Sequence, residues 1–331
     1  MKNWTGKKAL LVGVFMVVAC IAAAIILTHH NPRADVQEEL IKKLLSCGVL
    51  VLVCFAFVRW FDKLCVLPAE LFANRRLMWK LAKNDFKKRY AGSYLGAVWA
   101  LAQPVVTVVM YHVVFGLLGI TKGPTLADGT SIPQVLFLTA GLVPWFFFSE
   151  AMNNGTNALL EYHYLVKKVV FKISILPIIK VIGASFIHLF FVFVLLIVAI
   201  LYGYYPNIYT IQLLYYSVCL FVFVLAFSYM TCAVVIFFRD LSQIINILLQ
   251  IGVWATPILW DIDSVHVGWI WVLKLNPLVY IVNGYRSAIY ERSWFFEDFY
   301  STMYFWIVTV VLFIVSALVF KRLKVHFADV L

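Results

Sequence analysis

The sequence predicts an all-α polytopic membrane protein, because its composition, its hydropathy and the placement of its charges all indicate that class. Of its 331 residues, 64% are hydrophobic and 13% are charged, and the mean hydropathy is +0.93. Soluble domains contain about 45–50% apolar and about 25% charged residues, so a soluble protein of this length could not bury so much apolar surface. The same figures exclude a disordered chain, a fibrous repeat and a disulfide-rich secreted scaffold.

Eight long apolar segments are predicted to cross the membrane as helices, which need about 20 residues each. They are Ala9–Leu27, Leu44–Phe61, Leu95–Ile120, Val135–Asn157, Pro177–Tyr202, Leu213–Phe238, Ile244–Trp260 and Tyr300–Phe320. A ninth apolar segment, Val265–Ile289, is interrupted by polar residues and by Pro277. We expect a re-entrant or outer-surface helical hairpin there, because broken backbone at membrane depth must be buried in protein or line water.

The placement of charge predicts the orientation in the membrane. Most of the 27 lysines and arginines lie at the ends of spans that share one side, and that side is cytoplasmic by the positive-inside rule. Both termini are therefore expected in the cytoplasm. The net charge of +11 is explained by this placement, and no nucleic-acid partner is expected.

A domain boundary is predicted near Pro68. Residues 1–68 form a two-helix transmembrane extension, and residues 69–331 form the main transmembrane domain. The second domain begins with a basic amphipathic segment, Glu70–Tyr90, which predicts a helix lying on the inner leaflet among membrane lipids. Arg75 and Arg89 project from its apolar side, where they either reach lipid headgroups or contact a substrate.

A short cytoplasmic segment between Asn157 and Pro177 mixes apolar and charged residues at helical spacing. One interpretation is a helix presented to a partner protein, with Glu161, Lys167, Lys168 and Phe171 as its contacts. The other is an ordinary loop that carries positive-inside lysines.

Few charged residues lie near membrane depth. Glu150 follows Trp145 and three phenylalanines, so it is either a pathway or gating residue or a helix-end carboxylate paired with a neighbour. Arg239 and Asp240 are expected to form an ion pair that holds a tight cytoplasmic corner together.

Sequence motifs for common enzyme chemistry are absent. The chain contains no GxxxxGK[ST], GxGxxG, HExxH or GxSxG pattern, and its cysteines and histidines lack metal-ligand spacing. We therefore expect no catalytic residue, no metal and no cofactor on this chain.

Aromatic residues make up 17% of the chain, and many belong to the interfacial belts that membrane proteins carry. Trp99, Tyr111 and Trp254 are instead predicted within spans or at their ends. Aromatic faces suit the C–H faces of sugar rings, so these three are candidates for lining a glycan channel, and packing against lipid is the alternative.

A series of short motifs resembles the permease subunits of polysaccharide ABC exporters, which carry O-antigen, capsule or teichoic-acid chains and belong to the ABC-2 transporter superfamily. The motifs occur in family order: Asn84–Tyr90, Ser93–Gly96 with Trp99 and Pro104, Gly141–Trp145, Asn157, Lys167-Lys168 to Pro177, Phe238–Asp240, Thr256–Ile258, Asn276–Leu278 and Tyr285-Arg286. The resemblance covers residues 70–325. Residues 1–68 depart from it, because the usual member begins at the interfacial helix.

The resemblance implies a six-helix permease core with an amphipathic interfacial helix and outer re-entrant helices, to which this chain adds two N-terminal helices. It implies a homodimer in the bacterial inner membrane that exports a lipid-linked polysaccharide, most simply undecaprenyl-diphosphate-linked O-antigen. Two copies of a separate ABC ATPase would bind ATP and Mg²⁺, and residues 158–172 would be the helix that couples to them. The resemblance also implies a gating or structural role for Pro257.

The resemblance also assigns Arg89, with Arg75 nearby, to the lipid-linked phosphate, since arginine binds phosphate through paired N–H groups. Two other functions stay open at this point: a membrane-embedded glycosyl- or acyltransferase that acts on lipid-linked sugars, and a permease for small lipids or drugs.

Overall fold

A computed structural model describes residues 2–28, 40, 43–44, 46–48, 50–52, 54–55, 58–59, 61, 73–89, 92, 94, 96–126, 129–166, 172–262 and 267–330. The chain divides into two compact units, Met1–Pro68 and Ala69–Leu331. In the first unit, helix α1 covers Lys2–Thr28. The hydroxyl of Thr28 donates to the carbonyl oxygen of Ala24 at 2.8 Å and satisfies one acceptor of the last turn.

The second unit is built almost entirely of helices. In chain order they are α2 (Arg75–Arg89), α3 (Trp99–Leu117), α4 (Gln134–Thr156), α5 (Ala158–Glu161), α6 (His163–Val166), α7 (Leu176–Leu201), α8 (Gln212–Val235), α9 (Leu241–Ala255), α10 (Val267–Lys274), α11 (Pro277–Arg286), α12 (Phe299–Leu323) and α13 (Phe327–Val330). Short 3₁₀ turns cover Gly96–Val98, Ile173–Ile175, Ile208–Ile211 and Lys324–His326, and a π-helical turn covers Ser287–Glu291. Two short strands, β1 (Lys122–Thr125) and β2 (Ser131–Pro133), pair antiparallel between α3 and α4.

Four helical segments are long and apolar enough to cross a membrane. They are Gln134–Thr156, Ile173–Leu201, Ile208–Val235 and Phe299–His326. This confirms the predicted class of an all-α polytopic membrane protein and four of the eight predicted spans. Of the other four predicted spans, Leu44–Phe61 is described at twelve of its eighteen residues, and these twelve are helical.

Two predicted spans are shorter than expected. The sequence predicts Ile244–Trp260 as one apolar run, but α9 ends at Ala255. Thr256 precedes Pro257 and takes an extended conformation, with φ −98° and ψ 138°, as residues before proline prefer. The predicted span Leu95–Ile120 is likewise replaced by α3, whose apolar part is Val105–Leu117.

Helix α4 forms the centre of the second unit, and 17 of its 23 residues are buried. It packs against α7, α8 and α11. Small residues permit these close approaches, as is common between membrane helices. A Cβ added to Gly155 would lie 2.2 Å from the Ser228 Oγ of α8, and one added to Gly252 of α9 would lie 2.7 Å from the Trp145 ring of α4.

The amphipathic segment predicted over Glu70–Tyr90 forms α2. Met78 and Ala82 on its apolar side are buried. The rings of Trp79 and Phe86 meet Phe186 of α7 edge-on, with centroids 5.3 and 5.7 Å away. The apolar side of α2 therefore lies on α7, and the lysines Lys80, Lys83, Lys87 and Lys88 are exposed.

The predicted break within Val265–Ile289 is present as two helices, α10 and α11, that meet at Leu275-Asn276. Asn276 caps α11, because its side-chain oxygen accepts from the backbone N–H of Leu278 at 3.1 Å. Its amide group also donates to the Thr256 hydroxyl at 3.0 Å. One asparagine thus joins the start of α11 to the end of α9.

Candidate functional site

A network of charged side chains joins four helices at the C-terminal end of α4. Its centre is Lys180, in the first turns of α7, whose side chain is only 5% exposed. The Lys180 Nζ lies 2.9 Å from the Asp85 Oδ1 of α2 and 2.5 Å from the Glu161 Oε2 of α5. A cation near a helix N-terminus is disfavoured by the helix dipole, and these two carboxylates compensate for it.

Asp85 has a second donor in the segment that follows α4. The Tyr162 hydroxyl donates to the same Asp85 oxygen that binds Lys180, and the Lys180 Nζ lies 4.9 Å from the centroid of the Tyr162 ring. Burial, followed by the hydrogen bond to Asp85 and the charge of that carboxylate, raises the pKa of Tyr162 well above its ordinary value. The phenol therefore stays protonated and remains a donor at any physiological pH.

The network continues from α2 to α4 through Arg89. The Arg89 Nη1 lies 2.6 Å from the Glu150 Oε1, and the Arg89 Nη2 lies 3.9 Å from the Asp85 Oδ2. Asn154 donates to the same Glu150 oxygen at 3.4 Å. Because Asp85 and Arg89 are four residues apart, they share one face of α2, and Glu150 is an ion-pair partner of that face.

The arrangement ties the amphipathic helix to the segment that follows α4. Two cations, Lys180 and Arg89, face three carboxylates, those of Asp85, Glu150 and Glu161. Removal of one member of a buried ion pair leaves an uncompensated charge, which costs about 3–5 kcal/mol. A displacement of α5 relative to α7 would therefore act directly on α2.

The segment expected to form one helix over residues 158–172 has a different form where the structure describes it. It contains two short helices, α5 and α6, separated at Tyr162, whose side chain turns to Asp85. Of the predicted partner contacts, Glu161 is 50% exposed and paired with Lys180. Lys167, Lys168 and Phe171 lie outside the described residues.

The two arginines assigned to a lipid phosphate do not lie together. Both are exposed, but Arg75 begins α2 and Arg89 ends it. At 1.5 Å per residue the helix separates their backbones by about 21 Å. The expectation that Arg75 lies near Arg89 is therefore wrong, because the fifteen-residue helix is continuous between them.

The three aromatic residues predicted for a glycan channel lie on α3 and α9. Trp99 and Trp254 are 56% and 66% exposed. Tyr111 is half-buried, with its ring 6.0 Å from that of Phe115. No ring contact joins the three to one another within the described chain, so each presents its ring separately on the surface of the single subunit.

The predicted cytoplasmic corner is formed, but not by an ion pair. Arg239 and Asp240 are both exposed in the turn before α9, and no salt bridge joins these two described residues. The corner is closed by the backbone instead, with the N–H of Ile244 donating to the Asp240 carbonyl at 3.0 Å. Pro257 is buried just beyond the end of α9.

Sequence reasoning missed Lys180 and Asp85 as the centre of the network. By sequence alone, Lys180 is one of many basic residues near the ends of spans, although its position three residues into the apolar run that starts at Pro177 is a signal for a buried partner. The fold also buries Arg286 of α11, which is 3% exposed and whose guanidinium carbon lies 3.7 Å from the centroid of the Phe137 ring.

Groups suited to metal binding are absent from the described ranges: no cluster of three or more His, Cys, Asp or Glu side chains occurs there. The charge network offers electrostatic contacts. The network can hold helices together, transmit displacement, and offer the Arg89 guanidinium to an anion at the edge of the bundle.

Comparison with known proteins places the charge network within a matched region. Residues 76–290 match the family described as ABC-2 type transporter, and this region includes all five charged residues of the network.

The chain is also similar to curated relatives named O-antigen export system permease protein RfbA. The relative from Myxococcus xanthus is 27% identical over 266 residues, which cover 80% of this chain and 98% of that protein. One from Klebsiella pneumoniae is 26% identical over 254 residues, which cover 76% of this chain and 93% of that protein. The chain belongs to the ABC-2 type transporter family, as a transporter permease subunit and not an enzyme.

Proposed function

We propose that this chain is the transmembrane subunit of an ATP-driven exporter that moves a lipid-linked polysaccharide from the cytoplasm to the outer face of the bacterial inner membrane. The observation that carries the proposal is the similarity to O-antigen export permeases over 98% and 93% of their lengths. Undecaprenyl-diphosphate-linked O-antigen is the expected cargo. The chain would work as a homodimer with both termini in the cytoplasm.

Membership in the ABC-2 family implies a partner ABC ATPase subunit. We propose that two copies of the ATPase bind the homodimer at residues 158–172. His163 is exposed in this segment, as is Tyr164, with 48% of its surface accessible. Polar and aromatic side chains on a short exposed helix suit a partner groove. ATP and Mg²⁺ would be bound by the ATPase.

The charge network supports a path by which ATPase motion reaches the amphipathic helix. Force on α5 would act on Glu161, whose carboxylate lies 2.5 Å from the Lys180 Nζ, and Lys180 in turn holds Asp85 of α2 at 2.9 Å. Tyr162 binds the same aspartate directly. We infer that α2 follows the ATPase-binding segment and controls access at the cytoplasmic side of the pathway.

Arg89 is the proposed contact for the phosphate of the lipid carrier. Its side chain is 26% exposed beside the bundle, and a guanidinium carries five N–H donors, so it can bind an anion through more than one edge. The ion pair with Glu150 would hold the guanidinium in position between transport cycles. Arg75, at the far end of α2, would contact phosphate or lipid headgroups separately.

The glycan is proposed to pass along exposed aromatic rings. Trp99 and Trp254 are both more than half exposed, and Tyr111 lies on the same helix as Trp99. In a homodimer such rings can form a continuous surface over which sugar rings slide with few specific hydrogen bonds.

The proposed function predicts a stable complex with an ATPase and loss of surface glycan when the chain is deleted. The full chain, tagged and produced with its neighbouring gene products, should co-purify an ABC ATPase and restore glycan to the cell surface of the deletion strain. Failure to recover an ATPase, together with normal glycan export after deletion, contradicts the proposal.

Substitution of Lys180 is predicted to break the connection between α2 and the segment that follows α4. Lys180→Met should lower the free energy of unfolding by about 3–5 kcal/mol, because it removes the nearer of the two cations that face the buried Asp85 carboxylate, and it should abolish export. Lys180→Met/Asp85→Leu should regain much of that stability without regaining export. Lys321→Met, at an exposed lysine near the end of α12 that belongs neither to the network nor to residues 158–172, is the matched control.

Stability is measured by thermal unfolding in detergent, and export by the amount of surface glycan. Equal export by the Lys180→Met and Lys321→Met proteins would show that the network has no part in coupling. Full export by the double variant would assign it a purely structural role.

The role of Arg89 is tested by variants that distinguish its ion pair with Glu150 from its proposed contact with the lipid phosphate. Arg89→Ala should reduce export by about tenfold or more, the effect expected when a charged phosphate contact is lost, and Arg89→Lys should retain part of it. Glu150→Gln removes the carboxylate charge but keeps a side-chain oxygen that can accept from Arg89, so the guanidinium stays in position and export should stay near that of wild type. Arg76→Ala is the control at an exposed arginine of the same helix.

The measurement is the rate at which glycan reaches the cell surface, normalised to the amount of permease in the membrane. If Glu150→Gln loses as much export as Arg89→Ala, the function of Arg89 is its ion pair and the phosphate assignment is wrong.

A further inference from the structure

A cavity of 680 Å³ lies among α11, the π-helical turn Ser287–Glu291 and the start of α12. Strand β1 and residues 274–277 complete its wall. The volume falls in the range of about 300–1,000 Å³ that is usual for ligand pockets. None of the five charged residues of the network lines this cavity, so it is a separate site.

Aromatic rings form much of the wall and are held in place by their neighbours. Trp294 stacks on Phe296 with centroids 5.7 Å apart and planes 11° apart. The Tyr304 hydroxyl donates to the carbonyl oxygen of Leu275 at 2.6 Å, and the Tyr280 hydroxyl accepts from Thr302 at 3.0 Å. The cavity thus has rigid, flat apolar surfaces beside polar edges.

Two buried residues of the wall carry polar atoms that lack hydrogen-bonding partners among the described residues. Arg286 and Tyr290 are 3% and 4% exposed, and the unpartnered atoms are the Arg286 Nε and the Tyr290 hydroxyl oxygen. Another guanidinium nitrogen of Arg286, Nη2, donates to the carbonyl oxygen of Ile258 at 3.0 Å. Buried polar groups without partners are uncommon in native proteins, so this part of the wall is suited to a ligand that supplies hydroxyl groups.

The charges of the wall narrow the class of ligand. Asp261, Glu291 and Asp298 are opposed by Arg286 and Lys274, and the excess of carboxylate disfavours phosphate or another anion. An acyl chain would leave the polar wall desolvated without compensation. A neutral saccharide has apolar C–H faces for the rings and hydroxyl groups for the carboxylates, serines and asparagines.

We propose that this cavity is a binding site for a short, neutral oligosaccharide segment. The inference rests on the proposed function in that the bound segment would belong to the exported glycan. Binding of a neutral sugar is nevertheless a property of this chain alone, and it is measured without the ATPase. Failure of sugar binding with normal export would overturn the site and leave the proposed function standing.

The test is saturation-transfer NMR on the full chain in lipid nanodiscs, with maltotetraose, cellotetraose and mannotetraose as neutral probes and trigalacturonate and inorganic phosphate as anionic ones. At least one neutral probe should bind, and bind more tightly than either anion. Tyr290→Phe removes only the unpartnered hydroxyl and should weaken binding about fivefold, the value of one hydrogen bond. Trp294→Ala should weaken it about tenfold through loss of the stacking surface.

Tyr205→Phe makes the same chemical change at an exposed tyrosine, 68% accessible, that does not line the cavity, and it should bind as wild type does. The proposal is overturned if no neutral probe binds, if an anion binds as tightly as the best neutral probe, or if Tyr290→Phe and Trp294→Ala both bind as Tyr205→Phe does.

Discussion

The buried ion pair between Lys180 and Asp85 is the interaction on which the arrangement of α2, α7 and the segment after α4 depends. Neither side chain is more than 10% exposed, and a charge removed from water at this depth must be paired. Because Lys180 lies in the first turns of α7, its charge has to be compensated by Asp85 of α2 and Glu161 of the segment after α4. The basic amphipathic helix is therefore fixed to the bundle by charge as well as by Trp79 and Phe86 on Phe186.

A second constraint comes from prolines at helix ends. Pro257 follows α9, and Pro277 begins α11 under the cap provided by Asn276. Between these prolines, residues Val267–Lys274 form the short helix α10. The 680 Å³ cavity is lined in part by residues 274–277 at this break. The end of α10 and the start of α11 therefore form part of its wall.

Composition and apolar runs were enough to predict the class, four of the spans, the amphipathic helix and the break near Asn276. Long-range pairing was not predictable, because nothing local joins Arg89 to Glu150, 61 residues away, or Lys180 to Asp85, 95 residues away. The continuous helix expected over 158–172 failed for a tertiary reason, since Tyr162 turns to Asp85 at the break. The ion pair expected between Arg239 and Asp240 failed because both side chains point to the exposed side of a turn closed by backbone.

We propose that the segment after α4, the proposed ATPase-binding segment, and α2 move together through Lys180. The most direct test is the spin-label distance between Lys83→Cys and Tyr164→Cys, both at exposed positions, in the complete transporter with its six native cysteines replaced by alanine. The account predicts that this distance is the same with and without ATP, and that it changes with ATP only when Lys180→Met is added. An ATP-dependent change of the same size with Lys180 intact would contradict it.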